Sequence, residues 1–198
     1  MIKSRKDLKE YLEADAINYK VKFGFRGFLL SLISSPISDQ KYIWKYIKAM
    51  RYAEYYINKY HSYKTPFALY YLHKMRKYGR ITGFQIHPGT IGKGVTIWHW
   101  GPIIIGGKSK LGERCTLRPP ILLGHKMTEE PAPVVGNDVE INSGAKLIGA
   151  ISIGDDVVIG PNAVVTKDVP SHSVVVGIPA RVIKIRNSIN DAWKSVKG

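Results

Sequence analysis

The stretch VGNDVEINSGAKLIGAISIGDDVVIGPNAVVTKDVP, residues 135–170, decides the fold. Aliphatic side chains recur every six residues at Val135, Ile141, Leu147, Ile153, Ile159 and Val165. Four positions after each stands a small or β-branched residue: Val139, Ala145, Ile151, Val157, Ala163 and Val169. Gly136, Asn142, Gly154 and Gly160 directly follow four of the aliphatic positions, where a tight bend favours Gly or Asn. A period of six fits neither a lone helix nor a lone strand. It fits a strand-and-corner unit, the hexapeptide repeat of a parallel β-helix.

The register extends upstream through Leu123, Leu117, Leu111 and Ile105, with Ile121, Cys115 and Ser109 at the second position. Further units begin at Ile91 and Ile97, and two residues are inserted before Ile105. Between Leu123 and Val135 the piece GHKMTEEPAPV lacks the aliphatic residue due midway, and it reads as a loop or degraded coil. Departures from a repeat tend to map to the functional face.

Composition bounds the rest. The chain of 198 residues is 44% hydrophobic and 23% charged, as expected of a globular protein with one sizeable core and a smaller second unit. MIKSRKDLKEYLE lacks a signal peptide's apolar core, and the most apolar early piece, Gly27 to Ile37, is too short to span a bilayer. One cysteine excludes an internal disulfide and gives no metal-site spacing, and Cys115 reads as a packing residue. A cytoplasmic protein is expected. The net charge of +15 is uneven: residues 1–83 hold 17 Lys/Arg against 6 Asp/Glu, residues 84–198 hold 13 against 9. That basic part suits either a solvated helical surface or anionic lipid at the inner face of a membrane. Nucleic acid is not expected, because no binding motif accompanies the charge.

Residues 1–83 read as a helical region, 84–186 as the β-helix and 187–198 as a tail in which a short helix is expected. Ser4 and Asp7 form a capping-box pattern for a helix through about Asn18. After Asp39, apolar residues from Ile43 to Ile57 fall at helical spacing. Pro66 starts a further helix, with Gly79 as its expected stop. The tyrosines suit packing with their hydroxyls at the surface. The fold class expected is mainly β: a β-helix preceded by a small α-helical region.

Three segments carry a resemblance. IHPGTIGKGVTIWHWGPIIIGG, the run VVGNDVEINSGAKLIG to ISIGDDVVIGPNAVVTKDVP, and VVVGIPARVI resemble the hexapeptide-repeat acyltransferases. Within them the chain is most similar to the serine acetyltransferase branch, and in particular to the short members of capsule and exopolysaccharide clusters. The resemblance implies a left-handed β-helix, a homotrimer with sites between neighbours, and acetyl-CoA as co-substrate. It puts the catalytic base at His99, and an imidazole suits proton removal from a hydroxyl. Gln85 stands where the branch has the Asp that orients the histidine, and Trp98 where it has an Asp that contacts the amino acid. The branch's second histidine aligns with Ala132 and is missing. Trp98 and Trp100 beside His99 suit a sugar ring better than an amino-acid carboxylate.

For the co-substrate, the resemblance implies contacts near Gly124 and His125, a pantetheine wall at Ser143, Gly144 and Ala145, and Gly160 with Pro161 one coil on. Pro179, Ala180 and Arg181 match its terminal motif, where Arg181 meets the CoA phosphate. His87 and His172 are expected to be structural and exposed respectively. His87, His99 and His125 make no convincing metal set, so no metal is expected. The expected function is acetyl-CoA-dependent O-acetylation of a small-molecule or lipid-linked saccharide. A serine acetyltransferase or amino-sugar N-acetyltransferase is the second reading, and a non-catalytic trimeric binding protein the third.

Overall fold

In the computed structural model, residues 1–19, 39–125 and 131–196 are described. The apolar piece at 27–37 and the middle of the interrupted coil, 126–130, lie outside them.

Each aliphatic repeat position becomes one rung of a ladder. Ile86, Ile105, Leu123, Leu147 and Val165 stack in parallel register along one face. Ile91, Leu111, Val135, Ile153 and Val169 form the second face. Ile97, Leu117, Ile141, Ile159 and Val175 form the third. All fifteen side chains point into a single buried core. The strands β1 (Phe84–Ile86), β2 (Thr96–Ile97), β3 (Ile103–Ile105), β4 (Lys110–Leu111) and β5 (Thr116–Leu117) open the series. Next come β6 (Ile121–Gly124), β7 (Val134–Val135), β8 (Glu140–Ile141), β9 (Lys146–Ile148) and β10 (Ser152–Ile153). β11 (Val158–Ile159), β12 (Val164–Val165) and β13 (Ser173–Val176) close the last coils. Two to four residues suffice per strand because every strand inside the stack pairs above and below, so none stands on its own.

A coil stack has an open edge at each end, and unpaired backbone there is costly. Among the described residues, three helices close the front: α1 (Arg5–Asn18), α2 (Asp39–Tyr60) and α3 (Pro66–Thr82). Each face of the first coil receives its own side-chain cap. On β1 the Tyr46 hydroxyl accepts from Ile86 N–H and donates to its carbonyl. At the second face Arg51 donates to the carbonyls of Ile91 and Gly92, both at 2.7 Å. By β2 the Tyr19 hydroxyl accepts from Ile97 N–H, and Asp15 accepts from Gly94 and Val95 N–H. Arg51 and Asp15 pair at 2.8 Å with both side chains fully buried. Two buried charges are tolerated here because their polar atoms are spent on the coil edge and on each other.

The capping box is present as expected: Ser4 Oγ accepts from Asp7 N–H, and the Asp7 carboxylate accepts from Ser4 N–H. These bonds, from the backbone of Lys3 and Ser4 first, hold the Asp7 carboxyl below its ordinary pKa.

Four expectations are corrected. α3 runs past Gly79 and stops at Gly83, whose φ of 82° provides the left-handed cap. Gly79 is small because a Cβ would lie 2.8 Å from the Phe84 carbonyl oxygen, so it permits the close approach of α3 to β1. The hydroxyls of Tyr19 and Tyr46 are buried caps of the coil edge and do not reach the surface. His172 is half-buried, its Nδ1 2.8 Å from Asp156. The described part of the tail forms no helix: β14 (Arg181–Ile185) folds back antiparallel on β13, and β15 (Lys194–Ser195) pairs with β14. There the Arg186 side chain lies over the Trp193 ring and donates to Asp156.

Candidate active site

The two-residue insertion opens the corner between the third and first faces, and His99 sits on it between β2 and β3. The corner is pinned from behind: Trp98 N–H donates to the Leu117 carbonyl, and Gly101 N–H to the carbonyl of Thr82 at the end of α3. Gln40, on the first turn of α2, donates to the Trp98 carbonyl. The His99 ring is therefore held at its base and exposed at its tip, with 70% of its side chain accessible. Its Nδ1 lies 3.3 Å from Asp39 Oδ2, at the start of α2. A carboxylate only accepts, so the contact assigns the proton to Nδ1 and leaves the Nε2 lone pair free.

Both flanking indoles are exposed, and each has a partner. Trp100 stacks on Tyr42 with ring centroids 6.0 Å apart, and the Arg118 guanidinium lies 5.7 Å from the Trp98 ring. Arg118 comes from the next coil and also bonds Glu140 and, at 2.9 Å, Asn142.

Most of the residues expected at the co-substrate share this corner, coil below coil. Ser143 Oγ donates to the Pro119 carbonyl, and Gly144 N–H to that of Pro120. One coil on, Asn162 N–H donates to Ser143, beside Gly160 and Pro161, and then Ala180 N–H reaches Val164. A continuous track thus descends from His99 past Ser143 and Pro161 to Pro179, Ala180 and exposed Arg181. Ala145 is buried and belongs to the core. The two glycines have a reason inside the fold: a Cβ on Gly144 would fall 1.9 Å from Asn162 Oδ1, and one on Gly160 2.6 Å from Val176 Cγ1. Their smallness serves coil stacking.

Three expected residues are not brought to His99 within one chain. Gln85 sits on the outer side of β1 in the groove beneath α3, so the carboxylate at His99 is that of Asp39. Gly124 and His125 lie across the first face at the next corner, where Gly124 accepts from Gly149 N–H. His125 Nδ1 is buried without a partner among the described residues. Cys115 is fully buried, and burial pushes its thiol up to about 11, so it stays protonated at neutral pH. No group of three or more potential metal ligands occurs among the described residues. Nor is any described helix long and apolar enough to cross a membrane.

The sequence reading missed Asp39 as a site residue, because an acid at a helix start reads as a dipole partner. It also missed Arg118, which the period of the coils, carried across the insertion, would have put beside Trp98.

Residues 132–167 match the family described as bacterial transferase hexapeptide (six repeats). A serine acetyltransferase of Helicobacter pylori is 43% identical over 106 residues, 52% of this chain and 62% of that protein. One from Synechococcus elongatus is 42% identical over 106 residues, 52% of this chain and 43% of its own. The chain thus spans less than two thirds of the length of these relatives. Among solved structures, Neisseria gonorrhoeae serine acetyltransferase superposes with a TM-score of 0.66 at 24% identity, covering 91% of this chain and 66% of its own. A serine acetyltransferase in complex with CoA gives 0.68 at 24% identity, covering 90% and 71%. The chain is thus similar to the bacterial transferase hexapeptide family over residues 132–167, and it folds as a left-handed parallel β-helix behind a helical N-terminal region.

Proposed function

We propose that this protein is an acetyl-CoA-dependent O-acetyltransferase with His99 as its general base. One observation carries the reading: an exposed imidazole backed by a carboxylate, at the head of a track of small residues on a hexapeptide β-helix. The CoA complex of a structural neighbour supports acetyl-CoA as the donor. His99 Nε2 takes the proton as the acceptor oxygen attacks the thioester carbonyl. The carbon–sulfur bond then breaks, and the thiolate leaves with the proton that His99 returns. Asp39 holds the tautomer and steadies the imidazolium while it exists. Arg181 meets the phosphates of the donor at the far end of the track.

On the acceptor, two lines of support differ. The relatives are serine acetyltransferases, which favours serine over the saccharide that the sequence reading put first. The half-exposed indoles of Trp98 and Trp100 favour a saccharide, since flat apolar rings stack on sugars, whereas the Arg118 guanidinium over Trp98 offers a cation to an amino-acid carboxylate. A homotrimer fits the separation of His125 from His99, because a neighbour's corner would complete each site. Thiol release from acetyl-CoA, measured with serine and with free sugars, tests the reading. Turnover with either class supports transfer and chooses the acceptor, while no turnover and no heat-shift with acetyl-CoA removes the reading.

A further inference from the structure

No Asp or Glu occurs between Glu54 and Glu113, a span that holds nine Lys/Arg. α3 lies inside it, and its outward face is partly apolar. Phe67, Tyr70, Lys74, Lys77 and Ile81 follow at steps of three, four, three and four, which puts them on one side of the helix. Phe67, Tyr70 and Ile81 are 55%, 52% and 43% exposed, more than packing on the protein would leave. The Lys74 ammonium stands 4.5 Å from the Tyr70 ring centroid, and its hydrogen bond to that side chain raises its pKa. The opposite side of α3 is committed to the protein, with Ala68 fully buried against Ala53 and Ile57. On its flank, Leu69, Leu72 and Met75 line a groove of about 1050 Å³ over β1 and β3. Among the described residues that line the groove, the cations are Lys64, Arg76 and Arg80, and none is an acid.

We propose that the outward face of α3 docks on an anionic lipid bilayer, its rings and Ile81 in the headgroup boundary and its cations on the lipid phosphates. An amphipathic helix with Lys/Arg beside aromatic and aliphatic residues has the chemistry of an interfacial element. Charge decides between the possible occupants. A second copy laid on this face by a twofold axis would set lysines against lysines, and in any other arrangement it still brings a net charge of +15, whereas anionic lipid complements the face. α1, by contrast, carries four acids and contributes no such face. Because α3 ends on the bond from Gly101 to Thr82, docking also fixes the His99 corner with respect to the lipid surface. That placement suits a membrane-borne acceptor. The docking itself does not rest on the acetyl-transfer reading.

The test is co-sedimentation of the full chain with phosphatidylcholine vesicles, with and without phosphatidylglycerol, at low and high salt. Binding is expected only with phosphatidylglycerol, and it falls as salt rises. Lys74→Gln and Lys77→Gln should each weaken it about fivefold, and together about 25-fold. Phe67→Ser with Ile81→Ser should also weaken it, while Lys6→Gln with Lys9→Gln in α1 leaves it unchanged. Thermal melts and turnover on a soluble acceptor report that the variants are folded, and separate loss of docking from loss of chemistry. Absence of phosphatidylglycerol-dependent binding, or binding indifferent to the α3 lysines, overturns the proposal. So does a change of oligomeric mass in the same variants, which would make the face a contact between copies.

Discussion

The first coil and the coils from Val135 onward are built on one repeat but finished differently. In the later coils aliphatic rungs stack on aliphatic rungs, and the hydrogen bonds come from the neighbouring coil. In the first coil one side of the ladder is missing, and Tyr46, Arg51, Asp15 and Tyr19 supply the bonds instead. The lesson is that an interrupted repeat needs tertiary partners, and those partners can bring chemistry with them. α2 carries both the Tyr46 and Arg51 caps and Asp39, the carboxylate at His99.

The sharpest test of this contrast is at His99 itself. His99→Ala should lower turnover roughly 10²- to 10⁴-fold, the usual range for a general base. The dissociation constant of acetyl-CoA should change little, because the track lies on later coils. If single-turnover kinetics show an unaffected rate, the chemistry does not belong to the first coil.

Arg51→Ala comes next. Removing one partner of a buried pair costs about 3–5 kcal/mol, here with the coil-edge carbonyls also left bare. Denaturant melts should show that loss. Hydrogen exchange should place it at Ile91–Ile97, with the coils beyond Val135 still protected. Uniform loss along the β-helix would mean that front and back form one cooperative unit.

Asp39→Asn keeps the size of the side chain and removes the charge. Turnover should fall about tenfold with KM for acetyl-CoA unchanged, a smaller effect than that of His99 because the group acts through another. Gln85→Ala should have almost no effect on turnover. The reverse ranking would return the positioning role to Gln85.

At the back end, Arg181→Ala should weaken acetyl-CoA about tenfold and dephospho-acetyl-CoA less, as a charge-assisted contact to the missing phosphate requires. Equal weakening, read by calorimetry, would leave Arg181 without that role.

The smallest effect concerns pH. Burial pushes the Asp156 carboxyl up, but bonds from Arg186 and His172 outweigh it and hold the group below 3.8. A carboxyl depressed in the folded state stabilises the fold above its unfolded value and loses that contribution as pH falls through the folded one. Melts of wild type and Asp156→Asn should therefore differ at neutral pH, and the difference should shrink as the pH falls below about 3.8. A constant difference would mean that the clasp acts by shape alone.

The β-helix, the residues that fill it and the corner on which His99 stands are legible in the order of the residues. A strict period of six leaves one solution in which every aliphatic position is buried, and the Ile97-to-Ile105 step marks where it is broken. What meets His99 depends instead on how the helices pack. Asp39 lies 60 residues away on a helix start, and no local pattern ties it to that corner. The same holds for Arg51 and Asp15, whose burial follows from the open edge they cover. A repeat is legible because each unit repeats its neighbour's environment. A cap is used once, at a position fixed by how the helices pack, and so leaves no period to read.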